Sequence, residues 1–539
     1  MPESVETADS ERLARDQRDQ EVRVEVHPHE AESAAATRLA DELVRHEAVR
    51  THLAGPNLQL ATFELLDKDA GDRARFEAVV YDPDDCRCVR VGGTVAEVGQ
   101  ATAYPLPHRQ RPREEDFQRS VESVLRHDQL RVLIEQGGTQ AYRPMPPYLD
   151  IQNPDGSMER MVTVGLRSER GDFRHRIVGV LADGSVVLNP QGVPQPTTAD
   201  CEPPAPQGGC DTSGGRDQVR VRVIQGSIAL WDFILIRPRA SSGTNGSGVE
   251  LRFVDYKGQR VLYRAHVPIL NVEYGAAGAA AGCGPTYRDW QNQEACFHAN
   301  GSDPVGPGFR ICSTPPQTIL ESGVDGGNFA GVALWYDGHE LRLVSQLAAG
   351  WYRYISDWRL RNDGSIGPRF GFAGTLNPCT CDVHTHHAYW RLDFDIMTAS
   401  NNVVEEYNKP PIVANSNWHT KKFEIRRPRD AGHQRYWRVR NKGTFRGYTL
   451  VPGGHDGTAD AYGVGDLWVL RYHGNETDDG QGFTTNPALS RANIDKFVNG
   501  ESVEGQDVVL WYVGHFMHDE THPDPAGHVV GPDLRPFNW

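Results

Sequence analysis

Residues 249–267, VELRFVDYKGQRVLYRAHV, contain short strand-like runs separated by a turn signal. Similar runs recur up to residue 516, and no convincing long helix interrupts them. Many short strands with turn signals between them are typical of an antiparallel sandwich. We therefore predict one large β-sandwich over residues 218–539. The other runs are QGSIALWDFILIRP (225–238), GVALWYDGHELRLV (331–344), YWRLDFDI (389–396), RYWRVRNKGTF (435–445), DLWVLRYHG (466–474) and QDVVLWYVGHF (506–516).

Two smaller units precede this region. Apolar residues at helical spacing predict helices within 31–49 and 114–130, and strand-like runs follow each helix. The dipeptide Asp183-Gly184 indicates a hairpin turn between two of these runs. The predicted fold class is α+β, with two small helix-plus-antiparallel-sheet domains before the large sandwich. The predicted boundaries are an acidic tail at 1–21, small α/β domains at 22–110 and 111–192, and a Pro- and Gly-rich linker at 193–217.

The composition fits an enzyme that binds neither membranes nor nucleic acid. The longest apolar runs are four or five residues, such as FILI (233–236), which is too short to span a bilayer. A formal net charge of −16 disfavours phosphate binding. The first residues carry mixed charge and no apolar stretch, unlike a secretory signal. We predict a cytoplasmic protein with no nucleic-acid or membrane partner.

The cysteines do not predict a disulfide framework, because there are only nine in 539 residues. Cys86 and Cys88 are separated by one residue, as are Cys379 and Cys381, and this is not the spacing of a zinc ribbon. We predict that most cysteines are reduced or loosely paired.

The stretch CDVHTHHAYWRLDFD (381–395) contains a candidate metal site. His384 and His386 are two positions apart, so on a strand both imidazoles lie on one face, about 6.5–7 Å apart. Two neutral imidazoles suit copper, zinc, iron or nickel, although the pattern also fits a surface or hydrogen-bonded pair. A third ligand must come from elsewhere. The C-terminal region offers His515, His518, His522 and His528.

A second candidate is the aromatic run AGWYRYISDW (349–358). By themselves its aromatic residues fit a sandwich core. A tyrosine beside a three-histidine copper ion with open positions could instead be oxidised by dioxygen. Both interpretations stay open at this point.

Taken together, several ordered motifs resemble the catalytic domain of the copper amine oxidases, whose quinone cofactor is made from a tyrosine of the protein. The segment at 349–358 is similar to the stretch that holds this tyrosine, and HTHHAYWRLDFD (384–395) is similar to the stretch with two copper histidines. The resemblance extends over about residues 22–539 and is strongest after 218. The other matching segments are VLYRAHVPILNVEYG (261–275), GDLWVLRYHG (465–474) and GQDVVLWYVGHFMH (505–518).

The resemblance implies a role for each matching residue. Tyr352 would be the precursor of topaquinone, and Tyr274 would hydrogen-bond the quinone. Copper would be held by three histidines, His384, His386 and His518. The other histidines, including His387, would lie around the site or in solvent.

The resemblance also implies two further features. Asp393 and Asp507 would hold a second divalent ion, calcium or manganese, although an exposed pair of acids explains them equally well. Cys296 and Cys312 would form an internal disulfide.

The chain departs from the family pattern at two places. Trp351 and Arg353 flank the precursor tyrosine, where the family has Asn and an acid. The segment that carries the family's catalytic base is about a dozen residues too short in this chain. Asp289 and Glu294 are the acids present there. We prefer Asp289 as the base.

The resemblance implies a homodimeric oxidase that converts a primary amine and dioxygen to an aldehyde, ammonia and hydrogen peroxide. The departures allow a divergent copper oxidase that acts on another substrate, with or without the quinone. A non-catalytic copper-binding protein is the third hypothesis.

Overall fold

The computed structural model describes most of the chain. The described part is mostly β-sheet with a few short helices. The predicted tail at 1–21 and most of the linker at 193–217 lie outside it. None of the helices in the described part has both the length and the apolar character needed to span a bilayer. The described ranges are 22–29, 34–68, 70–84, 87–106, 114–137, 139–144, 147–152, 158–167, 175–190, 210, 214–272, 288–350, 352–374, 383–480, 491–518 and 529–539.

The first large sheet has nine strands. Two neighbours near its centre carry the predicted histidines; we call His384–Phe394 the His384 strand and Val508–His518 the His518 strand. They pair antiparallel along their whole length. In spatial order the strands are Val22–Pro28, Gln218–Gln225, Ile228–Ile236, Glu250–Tyr256, Gln259–Val272, His384–Phe394, Val508–His518, Leu467–Arg471 and Ile425–Arg427.

The second large sheet has twelve strands. Its strand Tyr352–Arg361, called the Tyr352 strand, pairs antiparallel with Glu340–Ala349, after which Gly350 has a positive φ of 55°. In spatial order the strands are Gly301–Ser302, Phe309–Cys312, Val332–Tyr336, Glu340–Ala349, Tyr352–Arg361, Ile366–Gly374, Asp533–Phe537, Gly447–Val451, Tyr436–Asn441, Asn402–Tyr407 and Trp418–Lys421, with Val529–Val530 beside Ile366–Gly374.

The two large sheets share one buried core. Trp231 and Trp390 enter it from the nine-stranded sheet, and Trp358 from the twelve-stranded sheet. The Trp231 indole donates a hydrogen bond to the Arg361 carbonyl oxygen at 2.9 Å, across the two sheets. Each buried indole removes about 150–250 Å² from water, worth roughly 4–6 kcal/mol as an upper estimate. The predicted β-rich sandwich character is therefore observed in the large region.

Each smaller sheet packs against two helices. In the first unit, Leu39 and Leu43 of one helix pack on Phe76 and Val80 of the sheet. Its helices are Ala34–Arg45 and Glu47–Arg50, and its strands are Gln59–Leu65, Arg75–Asp82, Arg87–Thr94 and Thr102–Leu106. The second unit has helices Glu114–Arg126 and Asp128–Gly137 and strands Val186–Val187, His175–Leu181, Met158–Arg167, Gln140–Tyr142 and Tyr148–Gln152. Outside these sheets, the other short helices are Ile319–Ser322 and the 3-10 turns Gly71–Arg73, Val95–Gln100, Pro238–Ala240, Ala431–His433 and Ile494–Phe497.

Local predictions agree with the structure in type but not at every boundary. Both predicted helices are split, at His46 and His127, into a longer and a shorter piece. The predicted turn at Asp183-Gly184 is present, with φ of 86° at Gly184. The strand Val22–Pro28 falls within the unit predicted at 22–110. In the structure it pairs with Gln218–Gln225 and so belongs to the nine-stranded sheet.

One cysteine pairing differs from the prediction. Cys296 forms a disulfide with Cys210, and their Cα atoms are 6.1 Å apart. The predicted pair Cys296–Cys312 is therefore wrong. Cys312 ends the strand Phe309–Cys312, where it pairs with Gly301, and is a buried free thiol; burial raises its pKa to about 11.

Candidate metal centre

Strand pairing brings the three predicted histidines to one face of the nine-stranded sheet. His384 and His386 alternate with Thr385, so both point to the same side. His518 lies directly opposite His384 in the antiparallel register. Directly paired residues share a face, so the third imidazole joins the first two.

The ring nitrogens of these histidines converge on one point. Nε2 of His384 lies 3.1 Å from Nε2 of His386. One ligand atom from each of the three residues lies within 4.8 Å of the others. His384 and His386 are buried, and His518 is half-buried. A compact set of three imidazoles is a donor set that suits copper, so the residues fit that ion.

Tyr352 approaches the histidines from the opposite sheet. Its hydroxyl oxygen lies 2.8 Å from Nε2 of His384 and 3.0 Å from Nδ1 of His518. The ring is fully buried. Phe372, on the neighbouring strand, stacks on the His386 ring with 4.4 Å between centroids and limits its rotation. The predicted phenol therefore lies among the predicted metal ligands.

Tyr354 links the proposed base to the histidines. It lies two positions after Tyr352 on the same face of the strand, and the two ring centroids are 5.6 Å apart. Its hydroxyl donates a hydrogen bond to Asp289 and lies 3.0 Å from Nδ1 of His386. Because the hydroxyl proton goes to Asp289, the oxygen can accept from Nδ1–H of His386. That tautomer leaves the Nε2 lone pair facing the other histidines.

The two acids considered as the base have different surroundings. Asp289 is fully buried and reaches the histidine cluster through Tyr354. Glu294 is also buried, but it forms an ion pair with Arg237, whose Nε lies 2.8 Å from Glu294 Oε1. Asp289 is therefore connected to the three-histidine cluster through Tyr354, whereas Glu294 is held in a separate ion pair with Arg237.

Arg353 does not point its charge at the histidines. Its Nε donates to Asp325 at 2.8 Å, and its Nη1 donates to the Tyr352 carbonyl oxygen at 3.0 Å. These contacts fix the backbone of the residue that carries the phenol. Trp351 and Tyr274 lie outside the described residues.

A second histidine pair lies on the opposite face of the same two strands. Nδ1 of His387 and Nδ1 of His515 are 2.7 Å apart. Asp466 lies 3.2 Å from Nε2 of His515. Burial lowers the pKa of His515, and this carboxylate offsets only part of that effect. The pair is therefore separate from the three-histidine cluster, while His522 and His528 lie outside the described residues.

The predicted second ion site contains a lysine. Asp393 and Asp507 are joined by Asp395 in a three-carboxylate cluster. Nζ of Lys68, from the first small unit, lies 2.6 Å from Oδ1 of Asp393. The residues do not fit a divalent ion, since an ammonium group already lies between the carboxylates.

Two contributing residues were not recognised in the sequence. Tyr354 was interpreted only as a core aromatic, although its spacing of two from Tyr352 on a strand already predicts a shared face. No sequence pattern predicts the contact of Lys68 with Asp393, because the two residues are 325 positions apart in the chain. Only folding brings that pair together.

The C-terminal part of the chain matches a known family. Residues 336–539 match the protein-family model described as “Copper amine oxidase, enzyme domain”. Over 375 residues the chain is 23% identical to copper-containing amine oxidase 2 of Mus musculus, a match that covers 54% of this chain and 49% of that protein. The chain thus spans about half the length of this curated relative.

The fold is also similar to solved structures. A copper-containing benzylamine oxidase from Hansenula polymorpha superposes with a TM-score of 0.54 at 15% identity, covering 95% of this chain and 98% of that chain. A lysyl oxidase from Pichia pastoris gives a TM-score of 0.50 at 12% identity, covering 96% and 91%. At these identities the likeness describes the fold alone.

Proposed function

We propose that this chain is a divergent copper amine oxidase, which oxidises a primary amine with dioxygen and water to an aldehyde, ammonia and hydrogen peroxide; the match of residues 336–539 to the enzyme-domain model supports this. One observation carries the proposal. The Tyr352 hydroxyl lies within hydrogen-bond distance of two of the three converging histidines. This proximity would let dioxygen that reacts at a bound copper ion oxidise the tyrosine.

The residues present fit copper, which His384, His386 and His518 would hold. When bound, copper supplies the reaction with dioxygen, and a topaquinone derived from Tyr352 supplies the carbonyl that takes up the amine. Phe372 lies edge-on to the Tyr352 ring, with centroids 5.9 Å apart, and helps to exclude water from the buried phenol. Phe372 and Phe516 pack on the His386 ring, with centroids 4.4 and 5.5 Å from it.

Asp289 acts as the general base in this proposal. Tyr354 donates a hydrogen bond to Oδ2 and so orients this carboxylate, whose ionised form would accept the proton from the substrate α-carbon. Burial of Asp289 places this proton acceptor in a low-dielectric surrounding, where its charge acts strongly. The ion pair with Arg237 makes Glu294 a poor alternative.

The remaining features of the proposal concern partners and location. A homodimer is proposed from the family resemblance, and the net charge of −16 is compatible with a cationic amine substrate. Cytoplasmic location stays a prediction. Disulfides such as Cys210–Cys296 persist mainly in oxidising compartments, so the redox state of this pair in cells tests the location.

The test follows the fate of one residue. Purified metal-free protein is exposed to copper and air, after which the peptide containing Tyr352 is analysed by mass spectrometry and the protein by visible absorbance. We expect a gain of two oxygens and a loss of two hydrogens at Tyr352, with colour. Tyr352→Phe should abolish colour and turnover, whereas Tyr448→Phe, a buried tyrosine hydrogen-bonded to the Gly364 carbonyl, should retain both.

Peroxide and ammonia release are then measured across a panel of primary amines. Release of both supports the proposal. An unmodified Tyr352 in copper-loaded, aerated protein would refute it. A modified tyrosine without turnover of any amine would favour the divergent oxidase that acts on another substrate.

A further inference from the structure

The three-carboxylate cluster Asp393, Asp395 and Asp507 surrounds one ammonium group. Nζ of Lys68 lies 2.6 Å from Oδ1 of Asp393, 3.0 Å from Oδ1 of Asp395 and 3.2 Å from Oδ1 of Asp507. An ammonium group has three N–H donors, so the three contacts use all of them. The lysine side chain is only 4% exposed, and the Asp393 side chain is fully buried.

Aromatic rings complete the surroundings of the lysine. Nζ lies 4.2 Å from the centroid of the Tyr263 ring and 3.8 Å from that of Tyr472. These distances allow favourable cation–π contacts on two sides. The Tyr472 hydroxyl also donates to the Leu65 carbonyl oxygen at 2.6 Å, close to Lys68 in the chain. The group is therefore held by both charge and packing.

The electrostatics agree with a buried cation. Burial alone lowers the pKa of Lys68, but the three carboxylates outweigh it and raise the pKa above the ordinary lysine value. Removing the ammonium would thus leave three acids close together without their main counter-charge.

We propose that Lys68 is a built-in counter-ion that takes the place of a second divalent metal, so that this chain binds neither calcium nor manganese at Asp393, Asp395 and Asp507. Calcium requires six to eight oxygen ligands at about 2.3–2.6 Å. Nζ fills the position where those ligands would converge. The first small unit therefore supplies to the sandwich the positive charge that an ion would otherwise bring.

The lysine acts far from the copper ligands. Asp393 and His384 are nine positions apart on one strand, which corresponds to about 30 Å. Lys68 also joins Asp393 to Asp507, the residue just before the His518 strand. It therefore ties together the distant ends of both histidine-bearing strands, and its loss should leave copper binding itself intact.

The experiment measures metal content and metal binding on the full chain. Protein produced with copper, calcium and manganese present is analysed for all three metals per chain. Calcium and manganese are then titrated calorimetrically into wild type, Lys68→Ala, Asp507→Asn, and the double variant Lys68→Ala/Asp507→Asn. Lys442→Ala, which removes an exposed lysine, is the matched control.

We expect wild type and the control to contain copper but no second ion. Lys68→Ala should bind one calcium or manganese ion per chain, lose this site in the double variant, and keep its copper. A second ion in wild type that Asp507→Asn removes would overturn the proposal, as would a folded Lys68→Ala that binds no ion. If Lys68→Ala does not fold, the wild-type metal content and the Asp507→Asn variant still decide the question. None of these readings depends on amine oxidation.

Discussion

Replacing Tyr354 by Phe tests whether this residue organises the metal centre. The substitution removes one hydroxyl and with it the contacts to Asp289 and His386. A hydrogen bond to a charged group contributes about 1.5–3 kcal/mol, and one to a neutral group about 0.5–1.5 kcal/mol. The free energy of unfolding should therefore fall by about 2–4.5 kcal/mol, because Asp289 stays buried with a contact missing.

The same substitution should weaken copper binding. Loss of a hydrogen bond that orients a metal-bound histidine typically costs 10–100-fold in affinity, or about 1.4–2.7 kcal/mol. His386 keeps its packing against Phe372, so its ring position should change less than its tautomer preference. A competitive copper titration with a chromophoric chelator measures the affinity directly.

Tyr448→Phe is the matched control for this experiment. It also removes a hydroxyl from a buried tyrosine, but the lost bond goes to the Gly364 carbonyl oxygen and not to the histidine cluster. The control should lose about 1 kcal/mol of stability and no copper affinity. If Tyr354→Phe binds copper within twofold of wild type, the hydroxyl does not orient His386 and the reasoning is refuted.

Three further predictions concern stability. Glu294→Ala leaves the buried Arg237 without its carboxylate. The free energy of unfolding, measured by urea denaturation, should therefore fall by about 3–5 kcal/mol, while the copper affinity stays unchanged. A smaller fall would mean that other groups compensate the charge of Arg237. Burial lowers the pKa of His266 well below its usual value, so the folded state keeps this ring neutral while the unfolded state takes up a proton near pH 6.5. Stability from this group is complete well above pH 6.5. It should fall by about 1 kcal/mol between pH 6.5 and 5.5, a loss that His266→Gln should lack in denaturation curves over that range. Cys210→Ser opens the loop of 86 positions that the disulfide to Cys296 closes, and should lower the free energy of unfolding by about 4–5 kcal/mol under oxidising conditions. Wild type with the disulfide fully reduced should show an equal loss.

The local pattern of the chain allowed much of the site to be predicted. Alternation on a strand places His384 and His386 on one face whatever the rest of the fold does, because the side-chain period is two residues. The same rule places Tyr352 and Tyr354 together. The strand-like runs predicted the β-rich character of the large region for the same reason.

Pairings between distant segments could not be predicted from these patterns. The register that sets His518 opposite His384 agrees with the third ligand suggested by the family resemblance. In contrast, the disulfide of Cys296 goes to Cys210 and not to Cys312. The choice between the two depends on how the segment around Cys210 returns to the sandwich, which no local spacing specifies.

The sequence by itself determined the strand periodicity, the shared face of His384 and His386, and the presence of Tyr352 in a motif of the same domain. Only the tertiary structure decided that Tyr354 connects Asp289 to His386 and that Lys68 fills the three-carboxylate cluster. The physical reason is the separation along the chain over which each kind of contact is determined. Backbone geometry fixes which neighbours share a face over a few residues, whereas contacts between different sheets and units depend on the packing of the whole chain.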